Sequence, residues 1–302
     1  MKQSTSTGHL AALFTIVVWG TTFISTKLLL VDFAPVEILL FRFIMGYGAL
    51  WIMAPRRLKT AGIRQELTFA AAGLCGICLY YLLENIALTY TMASNVGVII
   101  SIAPFFTAIL AKVCFRGKER LGAGFFAGFA VAMTGIILIS FNGAELQLNP
   151  AGDLLAAGAA LVWAFYSILT RIISGYGYPV VLATRRTFFY GLVFMIPAAC
   201  VSGVRVEPAL FANPLYLLNF LYLGLGASAL CFVTWNFAVK VLGAVKTSVY
   251  IYMVPVITVV TSAIVLGEPV TVMSAAGTAL TLAGLLLSEK KPSGTGKQAA
   301  AP

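Results

Sequence analysis

The chain has 302 residues, 60% of them hydrophobic and 10% charged, and a formal net charge of +10. Soluble domains run closer to half apolar and a quarter charged, so a water-soluble fold has no way to hide this much apolar surface. A nucleic-acid-binding face gathers its cations among polar neighbours. Here they punctuate apolar runs, which excludes a nucleic-acid partner and indicates an integral membrane protein.

Residues 1–8 are polar, and the apolar run behind them reaches Lys27 without a small-residue cleavage site, so it reads as a first span and not a signal peptide. With about 20 apolar residues needed per crossing, ten spans follow, near 10–30, 36–54, 67–88, 94–114, 121–140, 151–173, 180–201, 214–238, 244–266 and 270–288. Residues 290–302, rich in Lys, Gly and Ala, are expected to form a disordered cytoplasmic tail. Arg56, Arg57, Lys59 and Arg64 follow the second span, and Arg116, Lys118 and Arg120 follow the fourth. Lys240 and Lys246 flank the turn after the eighth, and Lys290, Lys291 and Lys297 occupy the tail. The opposite loops offer essentially Arg205, so both termini are expected in the cytoplasm.

The chain repeats itself. Trp19, Lys27, Pro35 and Arg42 recur as Trp163, Arg171, Pro179 and Arg186 at an offset of 144. Asn85, Ala87, Ala93 and Pro104 recur as Asn236, Ala238, Ala244 and Pro255 at 151, and Glu119, Gly128 and Gly135 as Glu268, Gly277 and Gly284 at 149. This pattern divides the chain into repeats over 1–147 and 148–289, each of five spans. Five is odd, so the second copy enters the bilayer upside down. The expected fold is therefore an all-α integral membrane protein, ten transmembrane helices as two inverted five-helix repeats around a central cavity. That plan belongs to secondary transporters, whose substrate site lies between the halves.

Enzyme chemistry finds no support. His9 is the single histidine, so histidine-based metal sites and Ser-His-Asp catalysis lack their key residue. The five cysteines, Cys75, Cys78, Cys114, Cys200 and Cys231, sit in or at the edge of apolar runs, which disfavours a disulfide framework. No phosphate-binding loop is present; no cofactor or metal is expected. A channel is the second class to weigh, and its continuous polar pore lining is missing from the spans.

The stretch Trp19-Gly20, Lys27, Pro35, Arg42, and that from Ala93 through Pro104 to Glu119 and Gly128, resemble the EamA-type half of the drug/metabolite transporter superfamily, and the second copy repeats the pattern to Gly284. In length and layout the chain is most similar to bacterial exporters of amino acids and related metabolites. The resemblance implies a ten-helix basket with a central cavity in the bacterial inner membrane, export of small molecules, and lipid as the surrounding partner. Arg120 stands opposite Pro269 and Lys246 opposite Asn95, departures that bear on substrate and coupling.

Candidate substrate-binding residues come from side chains out of place in a bilayer. Trp favours membrane interfaces, yet Trp19 and Trp163 fall near the middle of their spans, where they suit an aromatic or aliphatic substrate or an ammonium over the ring face. Close helix packing is the alternative. In the third span Tyr80 and Glu84 share a face beside Tyr81 and Asn85. Glu84 is a buried acid expected to hold a substrate amine or a proton, or else to pair with Arg42. Trp235 and Asn236 are its counterparts in the eighth span, and Tyr250 is a further candidate. Pro104 and Pro255, read as mid-helix, and Gly97 and Gly224 are candidate hinge and gating positions. Gly124-x-x-x-Gly128 permits close helix approach, within a monomer or between two.

Overall fold

The computed structural model describes residues 4–90, 93–115, 122–140, 149–204, 208–266 and 271–289. Arg116, Lys118, Glu119, Arg120, Arg205, Glu268 and the tail 290–302 lie outside the described residues. The described residues group into ten helices: α1 (Thr5–Leu29), α2 (Pro35–Met53), α3 (Ile63–Tyr90), α4 (Ala93–Ile100 and Ala103–Cys114), α5 (Ala123–Ser140), α6 (Pro150–Ser174), α7 (Val180–Ser202), α8 (Pro214–Leu242), α9 (Ala244–Val249 through Met253–Leu266) and α10 (Val272–Glu289). Seven are long and apolar enough to cross a membrane, and α5, α9 and α10 carry shorter apolar segments.

Local chemistry places the ends. Pro35, Pro150 and Pro214 each open a helix at a position whose N–H has no intrahelical partner anyway. Asn149 and Asn213 cap the helices behind those last two prolines, and Glu37 reaches back to the Ala34 N–H at 2.8 Å. Gly243 adopts φ 92° at the turn from α8 to α9, a conformation that favours glycine.

The inverted relation of the halves is legible in the α5–α10 seam. Going up α5, Gly124 meets Leu287, Gly128 meets Gly284 and Ser288, and Gly135 meets Gly277 and Thr281, so the two helices run antiparallel. The repeat takes Gly128 to Gly277 and Gly284 to Gly135, which turns the Gly128–Gly284 contact into the Gly135–Gly277 contact. A contact that maps onto itself this way marks a pseudo-two-fold axis. The same operation relates Gly46 against Gly224 at the α2–α8 crossing to Gly73 against Tyr190 at the α7–α3 crossing.

Four details depart from the sequence expectation. Both α3 and α8 loosen into π-helix, over Leu74–Leu79 and Tyr222–Leu230. Pro104 is not mid-helix: α4 breaks at Ser101 and Ile102, and Pro104 sits in the first turn of the segment that restarts at Ala103. There the missing N–H breaks no hydrogen bond. In α9 a 3-10 turn at Tyr250–Tyr252 precedes Met253, so Pro255 too falls in a first turn. Finally, Gly224 is a packing site as much as a flexible one, since an added Cβ would lie 2.8 Å from the Met45 Cβ.

Candidate functional site

Where the repeats meet, side chains from α1, α3, α4, α6 and α9 enclose a cleft of about 440 Å³, its mouth included. Its polar end is Glu84, 4% exposed, with Tyr80 and Tyr81 beside it; Trp19 and Trp163 form its walls, and Thr22, Ile100, Ile251 and Val254 complete it. The aromatic rings are in mutual contact. Trp19 and Trp163, counterparts in the repeat, meet edge-on with centroids 5.2 Å apart. Tyr80 lies 4.7 Å from Trp163 and 4.8 Å from Tyr81. Contacts of this kind hold rings in fixed orientation and add about 0.5–1.5 kcal/mol per pair beyond burial.

The polar atoms of this cluster are unevenly satisfied. The Trp19 Nε1–H donates to the Ala227 carbonyl at 2.9 Å. The Trp163 and Trp235 Nε1–H groups and the Glu84 Oε2 are buried without hydrogen-bond partners among the described residues. Such orphans cost about 1–3 kcal/mol each, which a bound molecule with its own donors and acceptors recovers. Arg42, 1% exposed, donates through Nε to Ser228 Oγ at 3.0 Å and lays its guanidinium 4.5 Å from the Tyr81 ring. No salt bridge joins it to Glu84 among the described residues.

The cleft is one-sided. Repeat counterparts of Thr22, Tyr81 and Glu84 are Tyr166, Phe232 and Trp235, and these three bulky groups fill the space on the other side of the Trp19–Trp163 pair. Tyr166 donates to Asn236 Oδ1 at 2.8 Å, and Asn236 Nδ2 donates to Thr184 at 2.9 Å, tying α6, α8 and α7 together.

Of the residues singled out from sequence, the structure brings Trp19, Tyr80, Tyr81, Glu84 and Trp163 to the cleft. Trp235 packs 5.1 Å from Trp19 in the layer behind it. Asn85 donates to the Pro35 carbonyl at 3.3 Å, and Asn236 belongs to the tie just described. Tyr250 points away, to His9 Nδ1 at 2.6 Å, and its neighbour Ile251 faces the cleft instead. Gly97, with no heavy atom within 4 Å of an added Cβ, and Pro104 flank the break in α4. Sequence reasoning missed Thr22, Tyr166 and Phe232. Phe232 is the repeat counterpart of the candidate Tyr81, Tyr166 stands one helical turn beyond Trp163, and Thr22 is the counterpart of Tyr166.

Comparison with known proteins meets this geometry. The chain matches the EamA-like transporter family over residues 6–141 and 150–289, one match for each repeat. The chain belongs to the EamA-like transporter family. Similar proteins include an uncharacterized transporter of Archaeoglobus fulgidus, 29% identical over 94% of this chain and 97% of that one. A probable terminal-alkyne amino-acid exporter of Streptantibioticus cattleyicolor is 28% identical over 97% and 96%. A probable amino-acid metabolite efflux pump of Salmonella typhimurium is 25% identical over 92% and 93%. A crystal structure with 19% sequence identity superposes with a TM-score of 0.77 over 95% of this chain and 97% of that chain, a likeness of fold. An EamA-like transporter is a multi-pass membrane protein that carries small molecules.

Proposed function

We propose that this EamA-like transporter is a monomeric secondary carrier that exports amino acids, aromatic and other neutral ones, and related small metabolites across the bacterial inner membrane by alternating access, with both termini cytoplasmic. One observation carries the reading: the buried Glu84 carboxylate, one oxygen unpartnered, inside an aromatic cleft where the two halves meet. An α-ammonium group supplies the missing donors, and an apolar or aromatic side chain suits the Trp19, Tyr80 and Trp163 rings. The amino-acid names of two relatives point the same way. Asn85, Trp235, Asn236 and Tyr250 stand outside the cleft lining and act on it through neighbours. The breaks beside Pro104 and Pro255, with Gly97 and Gly224, are where α4, α8 and α9 bend between states.

The same unpartnered oxygen also suits a proton, which would make the protein a proton-coupled efflux system for other small metabolites or drugs. Liposomes separate the two. Purified protein is expected to exchange labelled Trp, Phe, Thr and Met saturably and in counterflow, with no effect of a pH gradient. The Glu84→Gln variant is expected to lower kcat/KM by about 10- to 100-fold, the worth of one charge-assisted hydrogen bond. Flux driven by the pH gradient in the wild type and lost in the variant would replace uniport by proton exchange. Unchanged amino-acid flux in the variant would remove Glu84 from the site.

A further inference from the structure

A second pocket lies between α6, α7 and α8 at the far end of the bundle. Its open mouth included, it spans about 340 Å³, and its polar lining is Thr170, Ser174, Tyr178, Thr187, Asn236 and Lys240. Its chemistry is the reverse of the central cleft: hydroxyls and a cation where the cleft has rings and an acid. The Lys240 ammonium has no ion-pair partner among the described residues. Arg171 brings a second cation to the same place by donating to the Lys240 carbonyl at 3.3 Å. Glu66, one residue from the Gln65 that accepts from Tyr178, is taken up by Arg186 at 2.6 Å, Tyr190 and Thr60. The pocket also takes in Val180, the first residue of the 23-residue α7, whose N-cap Pro179 offers no side-chain cap. The free N–H groups of that first turn add positive potential.

Asn236 forms the boundary of this pocket on the cleft side. Its partner Tyr166 rests 5.0 Å from Trp163, which lines the cleft. One layer of side chains therefore separates the two spaces.

We propose that this pocket is a second binding site, a vestibule that captures the carboxylate of a small amphiphilic acid before the Tyr166–Asn236–Thr184 layer opens to the cleft. The proposal rests on the transport reading for its purpose, and on Lys240 and α7 for its chemistry. Lys240 lines a concavity bordered by hydroxyls, whereas a lysine serving lipid headgroups extends outward along an apolar surface.

The test uses the full-length protein in detergent, titrated calorimetrically with 3-phenylpropionate and with 3-phenylpropionamide, which keeps the shape and removes the charge. The wild type is expected to bind the acid about tenfold more tightly than the amide. Lys240→Gln abolishes that preference and Lys240→Arg keeps it. Equal affinity for acid and amide in the wild type, or a preference that survives in Lys240→Gln, overturns the vestibule. The liposome assay reads separately: a Lys240-dependent preference without amino-acid flux keeps this site and removes the transport reading, and flux without the preference does the opposite.

Discussion

Arg42 and Arg186 occupy the same place in the two repeats and lead different lives. Glu66 accepts two hydrogen bonds from Arg186, at 3.1 and 2.6 Å, and further ones from Tyr190 and Thr60. Glu66's counterpart in the second repeat is Leu217, so Arg42 has no acid to meet there and turns to Ser228 and the Tyr81 face instead. The paired arginine is a brace; the unpaired one lends positive potential beneath the cleft. With side-chain exposures of 33% and 18%, the Arg186–Glu66 pair is partly screened. Glu66→Ala should cost about 1–2 kcal/mol because three donors lose their acceptor. Thermal unfolding in detergent reads this as a Tm a few degrees lower, with Glu66→Gln recovering part of the loss. An unchanged Tm would mean that the network is ornamental. The tryptophans at mid-span and the acid deep inside α3, Glu84, were legible as single residues, because both are expensive away from their usual surroundings. Tyr250 was misjudged as a lining residue for a geometric reason: a 3-10 turn rotates successive side chains differently from an α-helix, which presents Ile251 where Tyr250 was expected.

At the scale of helices, the α5–α10 seam depends on bare backbone meeting bare backbone. A Cβ on Gly128 would stand 2.6 Å from the Gly284 carbonyl oxygen, and one on Gly284 would stand 2.6 Å from the Gly128 carbonyl oxygen. Apart from the Ser288 hydroxyl beside Gly128, the atoms met are backbone, so the helices must separate. Gly128→Val and Gly284→Val are each expected to destabilise by more than about 2 kcal/mol through lost packing along the seam. Gly124→Ala, whose nearest neighbour would be 3.5 Å away, should be tolerated. Chemical denaturation of the three variants in mixed micelles orders them, and equal midpoints would contradict the seam. Helix number and ends followed from apolar length and from prolines at helix starts. The π segments and the α4 break did not, since helices apolar on every side carry no periodic signal to betray a change of pitch.

The whole molecule is a two-fold plan executed unevenly. Thr22 on one side of the tryptophan pair and Tyr166 on the other leave one flank hollow and the other filled. Exchange of these roles between the halves is what alternating access means for an inverted repeat. Asn236 holds the filled flank with two hydrogen bonds, whereas the Oδ1 of its counterpart Asn85 has no partner among the described residues. If the protein alternates as proposed, Asn236→Ala removes about 1–3 kcal/mol from this state alone, enough to shift the balance of states by about 5- to 150-fold. In a background lacking the native cysteines, thiol labelling of Thr22→Cys at the hollow flank should slow as that state empties. A labelling rate indifferent to Asn236→Ala would show that the tie does not hold the flank shut. The two-fold plan itself was legible from three sets of matched positions; which flank stood open was not, because it depends on how aromatic groups interlock in three dimensions.

Both copies slacken their third helix over the same register, since Leu74 answers to Leu225 and Leu79 to Leu230. A wider turn of this kind leaves one residue more than a regular helix needs, and two independent insertions at one register are a poor explanation of it. A single insertion in the ancestral half, inherited when that half was doubled, accounts for both.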